Sequence, residues 1–102
     1  MKFYIAGKIT GNPDYKEQFA EAERGLKAKG HSVMNPAWIQ EGAEFTWSDY
    51  MMVTSEMQMV CEAVLFLDNW KDSKGAQWEH QFAIKVNQQQ FFNLDDVPLN
   101  KP

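Results

Sequence analysis

Residues 2–6, KFYIA, form a short run of apolar and aromatic side chains that ends at Gly7, the length and composition of a strand. The segment GKITGNPD that follows is built of turn formers. From Tyr15 to Lys29 the period changes. Tyr15, Phe19, Ala22 and Leu26 share one helical face while Glu17, Glu21, Arg24 and Lys27 fall elsewhere, and Gly30 supplies the stop. HSVM predicts a short second strand closed by Asn35-Pro36, because a residue before proline is pushed out of helical geometry. Residues 37–45 read as a loop or short helical turn. Thr46 is a candidate N-cap for a helix over TWSDYMMVTSEMQMVCEA, with Tyr50, Val53, Met57 and Val60 as its core stripe. Met52 and Met59 lie off that stripe, either as ordinary packing or as a face for a partner subunit.

AVLFL at 63–67 is continuously apolar between Glu62 and Asp68, as in a strand buried on both faces. A polar loop, DNWKDSKG, leads to a helix from Ser73 or Lys74 to Val86. A last strand is predicted around Gln90–Phe92. This alternation predicts an α/β fold: a small doubly wound, Rossmann-like or flavodoxin-like parallel sheet of about four strands with helices on both faces. Residues 1–92 make one domain, and 93–102 read as a frayed C-terminal tail. Ligands of such sheets sit outside the carboxyl ends of the strands, which nominates GKITGN, NP and DNWKDSKG.

A length of 102 residues with 44% hydrophobic side chains allows one core and no second domain. The net charge of -4, with scattered basic residues, speaks against a nucleic-acid polymer, whose backbone needs a basic stripe. Cys61 is the one cysteine, and no cysteine or histidine spacing resembles a metal cage; neither metal nor cofactor is expected. No segment is long and apolar enough for a signal or a membrane span, so a cytoplasmic location is expected.

Candidate chemistry centres on the last predicted helix. Gly75, Ala76, Phe82, Ala83 and Val86 cluster on one face, and Glu79 falls in the middle of it. A carboxylate there is neutralised, paired, for example with Lys8, or exposed in a cleft where it is used. His80 points about 100° away, toward a rim. GKITG lacks the ending of a Walker loop and is not GxGxxG. It reads either as a plain turn or as a loop whose backbone amides, with Lys8, cradle an anion. Ser73 is either the N-cap of the last helix or a hydroxyl offered to a phosphate at that helix start.

The segments YIAGKITG, NPA and CEAVLFLDNWKDSKGAQWEHQFA resemble the nucleoside 2-deoxyribosyltransferase-like superfamily, in particular its short branch found in phage and prophage genomes. The resemblance runs from Lys2 to about Phe92 and is most specific at Trp70, Ser73, Gly75, Ala76 and Glu79. It implies that Glu79 attacks C1′ of a sugar to give a glycosyl-enzyme, resolved by another base or by water. Tyr4 matches a tyrosine that positions the glutamate, and Gly7, Ile9 and Gly11 match a loop over the sugar or its phosphate. Asn35, Trp70 and Gly75, with Lys8, complete the expected binding set. Ser73 looks like the branch that contacts a 5′-phosphate, which favours a nucleoside monophosphate and hydrolysis. The superfamily's second acid, which assists base departure, corresponds here to Thr54. Glu56, Asp49 or Asp68 are the acids that could substitute, with Asp68 at the end of the third strand.

Three classes of function are therefore open. One is an N-glycosidic bond hydrolase or transferase acting on a nucleoside or its 5′-monophosphate. The second is a non-catalytic nucleotide-binding or sequestering protein using the same cleft. The third is a structural protein, which gives Glu79 no reason for its position. By resemblance a homodimer or higher homo-oligomer is expected.

Overall fold

A computed structural model describes residues 1–40 and 42–100. The first strand, β1 (Lys2–Ala6), lies inside a four-stranded, all-parallel sheet with β2 (Ser32–Met34) on one side and β3 (Ala63–Phe66) on the other; β4 (Gln89–Phe91) completes the order β2-β1-β3-β4. Phe3 is in register with Val33 and Ala63, and Leu65 with Phe91. Because side chains alternate along a strand, β1 and β3 feed two separate cores. Phe3, Ile5, Ala63 and Leu65 pack with Phe19, Ala22 and Leu26 of α1 (Tyr15–Ala28). Tyr4, Ala6, Val64 and Phe66 face the opposite side, where Ala76 and Ala83 of α3 (Lys74–Lys85) meet them. This is the predicted doubly wound α/β architecture.

Local chemistry sets the boundaries. After α1, Gly30 takes φ +90 and donates its N–H to the Lys27 carbonyl at 2.9 Å, the left-handed stop that glycine adopts without strain. Helix α2 (Trp47–Met59) opens on a reciprocal cap: the Thr46 hydroxyl accepts from the Asp49 amide at 3.1 Å, and the Asp49 carboxylate accepts from the Thr46 amide at 2.8 Å. A single 3-10 turn, Pro36–Trp38, interrupts the connection between β2 and α2.

Three expectations are corrected. Of the proposed α2 core stripe, Val53 and Val60 are half-exposed, and the buried residues are Thr54 and Gln58. An apolar stripe marks the core only when the opposite side is polar, and here Met52, Val53, Met59 and Val60 all face outward. Gln58 is fully buried: its amide nitrogen donates to the Glu79 carbonyl at 2.9 Å and to Gln88 Oε1 at 3.1 Å, while its Oε1 has no hydrogen-bond partner among the described residues. Val86, just past the end of α3, is exposed, so the inward face is narrower than the periodicity suggested. Finally, residues 93–100 of the tail are docked, not frayed. Val97 is buried in the α1-side core, and the Lys29 ammonium donates to the carbonyls of Leu94 and Val97 at 2.6 and 2.8 Å. The last two residues of the tail, and residue 41 of the loop at 37–45, lie outside the described residues.

Candidate active site

The strand order reverses between β1 and β3, and a crevice is expected beyond their carboxyl ends. A cavity of about 580 Å³ lies there. Gly7, Ile9 and Thr10 come from the segment after β1, Pro36, Ile39 and Phe45 from the segment after β2, Trp47, Tyr50, Met51 and Thr54 from α2, and Ser73, Gly75 and Glu79 from the start of α3. Close backbone approach forms the floor. A Cβ on Gly7 would stand 2.9 Å from Leu67 Cδ1, and one on Gly75 would stand 3.2 Å from Met51 Sδ. The loop after β1 is tied across the sheet, since the Lys8 amide donates to Asn69 Oδ1 at 3.0 Å and the Asn12 amide group donates to the Lys8 carbonyl at 2.9 Å.

Glu79 is 6% exposed, and the Tyr4 hydroxyl from the middle of β1 donates to its Oε2. Among the described residues the ion pairs are Arg24–Glu17 and Lys27–Glu23, so no lysine pairs with Glu79. Burial therefore pushes the Glu79 carboxyl up to about 8, with the Tyr4 hydrogen bond pulling weakly the other way. Tyr4 is raised well above the ordinary tyrosine range, first by its own burial and then by the charge of Glu79. Thr54 is the third member of this chain. Its hydroxyl bonds the Tyr4 oxygen, which works to lower the tyrosine, and it also reaches the Met51 carbonyl at 3.3 Å. At neutral pH in the absence of ligand this is a buried, protonated acid at the edge of an aromatic cavity.

Glu79, Gly7, Ile9, Ser73 and Gly75 line the cavity, and Tyr4 stands directly behind Glu79. Ser73 also caps α3, its hydroxyl accepting from the Ala76 amide at 3.1 Å. Ser73→Ala is expected to cost about 1 kcal/mol of stability, read as a fall in the urea midpoint with an unchanged slope. The structure does not bring the other nominated residues to the cavity lining. Asn35 spends its side chain on the fold, accepting from the Ala37 amide at 2.8 Å and donating to Glu23 Oε1 at 3.0 Å. Trp70 packs into a ring cluster with Phe66, His80 and Phe92. His80 joins that cluster, its Nδ1 lying 2.6 Å from Gln90 Oε1. Lys8 and Gly11 belong to the loop but not to the lining, and Gly11 serves its turn with φ +76. Asp68 is exposed on a different, shallower groove beside Gln18, Glu21 and Asn69.

Sequence reasoning missed the aromatic part of the lining, which is Phe45, Trp47 and Tyr50 with Tyr15 from α1. Phe45 and Tyr50 meet edge to face at 6.2 Å, and the Tyr50 oxygen accepts from the Gly42 amide at 2.6 Å, holding the loop against α2. The signal was present: Trp38 and Phe45 lie in a stretch with no helical or strand period, and Trp47 follows at the first turn of α2. Among the described residues no group of three His, Cys, Asp or Glu side chains is placed to hold a metal ion. No described helix is long and apolar enough to cross a membrane.

The α/β fold is shared with a solved enzyme. The solved 2-deoxyribosyltransferase of Bacillus psychrosaccharolyticus, a biocatalyst for nucleoside synthesis, matches 99% of this chain and 93% of its own with a TM-score of 0.72, at 17% sequence identity. Residues 1–91 match the model of the domain of unknown function DUF4406, and the chain belongs to that family. No curated protein matches it.

Proposed function

We propose that the protein cleaves the N-glycosidic bond of a nucleoside or nucleoside 5′-monophosphate, with Glu79 as the nucleophile. The observation that carries this reading is a buried carboxyl, held by one tyrosine and set at the wall of an aromatic cavity beyond the strand ends. A carboxylate oxygen of Glu79 forms a bond to C1′ while the C1′–N bond breaks and its electron pair leaves with the base. Water or a second acceptor then takes the sugar from Glu79. Tyr4 orients the nucleophile. The aromatic wall suits stacking against the base, and Ser73 at the start of α3 suits a 5′-phosphate. The test is release of free base from a panel of nucleosides and monophosphates, compared with Glu79→Gln. Equal release from both proteins would overturn the proposal.

One observation favours a second reading, a protein that binds a nucleotide without turning it over. Glu79 is the one acid among the described lining residues, and by resemblance Thr54 corresponds to the superfamily's second acid. That reading expects thermal stabilisation by a nucleotide, about 2.7 kcal/mol at a hundred times its dissociation constant, with no product.

The outward sides of α2 and α3 support assembly into a homodimer. Met52, Val53 and Met59 on α2, Val60 at its C-cap, and Trp78 and Ile84 on α3 are each between 45% and 71% exposed. The exposed charges of α2 are the acids Asp49 and Glu56, and those of α3 are the bases Lys74 and Lys85. A two-fold axis that lays α2 of one copy on α3 of the other pairs both sets at once. Met52→Glu with Val60→Glu is expected to convert a dimer to a monomer in light scattering while leaving the circular dichroism unchanged.

A further inference from the structure

Resting on the reading of Glu79 as a nucleophile, we infer that Thr54 is a positioning residue: its hydroxyl donates to the Tyr4 oxygen, turns the Tyr4 proton onto Glu79 and readies the carboxylate for attack. In this role it acts on Glu79 only through Tyr4.

The count of protons in the buried chain sets the direction. A phenol has one proton to donate, and that of Tyr4 goes to Glu79 Oε2. Tyr4 is fully buried, so the lone pairs of its oxygen need a donor inside the protein. Thr54 is that donor. The other acceptor open to the Thr54 proton is the Met51 carbonyl, at 3.3 Å. That oxygen already accepts from the Ser55 hydroxyl at 2.5 Å and, four residues back within α2, from the Ser55 amide. Both of its lone pairs are taken, and the Thr54 proton is better placed on Tyr4.

Helix packing fixes the donor in place. Thr54 is 8% exposed and its neighbour Val53 is 52% exposed, so α2 turns a hydroxyl inward and an isopropyl group outward, the reverse of what burial alone selects. One turn on, Gln58 donates to the Glu79 carbonyl at 2.9 Å. The inward side of α2 therefore grips Glu79 twice, by its main chain through Gln58 and by its carboxyl through Tyr4. A hydrogen bond received by the phenol polarises it and strengthens the bond it gives, and that gain is larger when the acceptor is charged. The Thr54 bond accordingly works to lower Tyr4, the sign of a donor that favours negative charge in the pair. The titratable groups acting on this pair are Tyr4 and Glu79 themselves and, on Tyr4, the Cys61 thiol, which burial pushes up to about 11. The acids of α2, Asp49 and Glu56, and Lys74 of α3 are exposed, and His80 lies in the ring cluster with Trp70.

The experiment follows the Glu79 carboxyl carbon by NMR from pH 5 to 11 in the full chain, assigned by its absence from Glu79→Gln. Wild type is compared with Thr54→Val, Thr54→Ser, Tyr4→Phe and the double variant of Tyr4→Phe with Thr54→Val; Thr54→Ala takes the place of Thr54→Val if that variant does not fold. The expected midpoint is near 8 in wild type and in Thr54→Ser. In Thr54→Val it rises by roughly half to one pH unit, the worth of one hydrogen bond. In the Tyr4→Phe background Thr54→Val adds no further rise. Base release by Thr54→Val should fall about 3- to 10-fold in kcat/KM at pH 7, following the ionised fraction, and recover at pH 9.5. A midpoint unchanged in Thr54→Val, a rise in Thr54→Ser equal to that in Thr54→Val, or the same rise in the Tyr4→Phe background overturns the inference. Absence of base release from wild type overturns the glycosidic reading, while the titration, read without turnover, still decides the role of Thr54.

Discussion

Replacement of Glu79 by Gln is expected to abolish base release, by roughly three orders of magnitude or more as for other lost nucleophiles, while making the protein more stable at neutral and alkaline pH. The stability effect follows from linkage. The unfolded carboxyl titrates near its ordinary 4.5 and the folded one near 8. Between those values the folded protein holds a proton that the unfolded chain has released. Stability therefore falls as pH rises through this window, by up to about 1.4 kcal/mol per pH unit, and the penalty is fully present above pH 8. Glutamine keeps an oxygen for the Tyr4 hydroxyl but cannot ionise. Urea unfolding at intervals from pH 4 to 9 should show the slope in the wild type and its loss in the variant, with a gain on the order of a few kcal/mol at pH 9. A wild-type stability that does not fall across the window would show that Glu79 is not held as a neutral acid. In the same framework kcat/KM for a neutral nucleoside should rise toward pH 8 and level off, since the free enzyme's nucleophile must be ionised.

The second large effect is expected from Tyr4→Phe. The Tyr4 hydroxyl is the one hydrogen bond that favours the Glu79 carboxylate against burial. Its removal drives the carboxyl further above 8 and leaves a buried acid short of a partner, at a cost of about 1–3 kcal/mol. The loss of activity should therefore be much greater at pH 7 than at pH 9.5, where the remaining ionised fraction recovers. A loss of equal size at both pH values would mean that Tyr4 acts through geometry alone.

Sheet and helices were legible in the sequence because each rests on a local pattern: the apolar and aromatic run KFYIA, helical spacing from Tyr15, the unbroken apolar run at residues 63–67. Glu79 was legible for the same reason, as an acid in phase with Ala76 and Ala83. Reading failed where tertiary partners decide. Nothing in the order of residues says that Thr54 and Gln58, not Val53 and Val60, turn inward, because their partners Tyr4, Glu79 and Gln88 come from three other segments. Asn35 and Trp70 share segments with site residues, yet one is consumed by its own turn and the other by a ring cluster. Of the aromatic lining, Phe45 escaped because it lies in a loop with no period to read, and Trp47 and Tyr50 because a helical period cannot say that the first turn of α2 faces the crevice.

The Tyr4–Glu79 contact joins residues 75 positions apart, and this separation has a consequence in time. β1 precedes α3 in the chain and is an inner strand of the sheet, yet its tyrosine has no acid to bond until α3 docks. Contacts of such long range are closed late and cost loop entropy first. A chain refolding through the β1-β3 pairing would cross its barrier with Glu79 still in water and ionised according to its free value. The pH sensitivity of stability should then fall on the unfolding rate, leaving the refolding rate nearly constant between pH 5 and 8. In that case the protein meets alkaline conditions with a shortened native lifetime and an undiminished ability to recover.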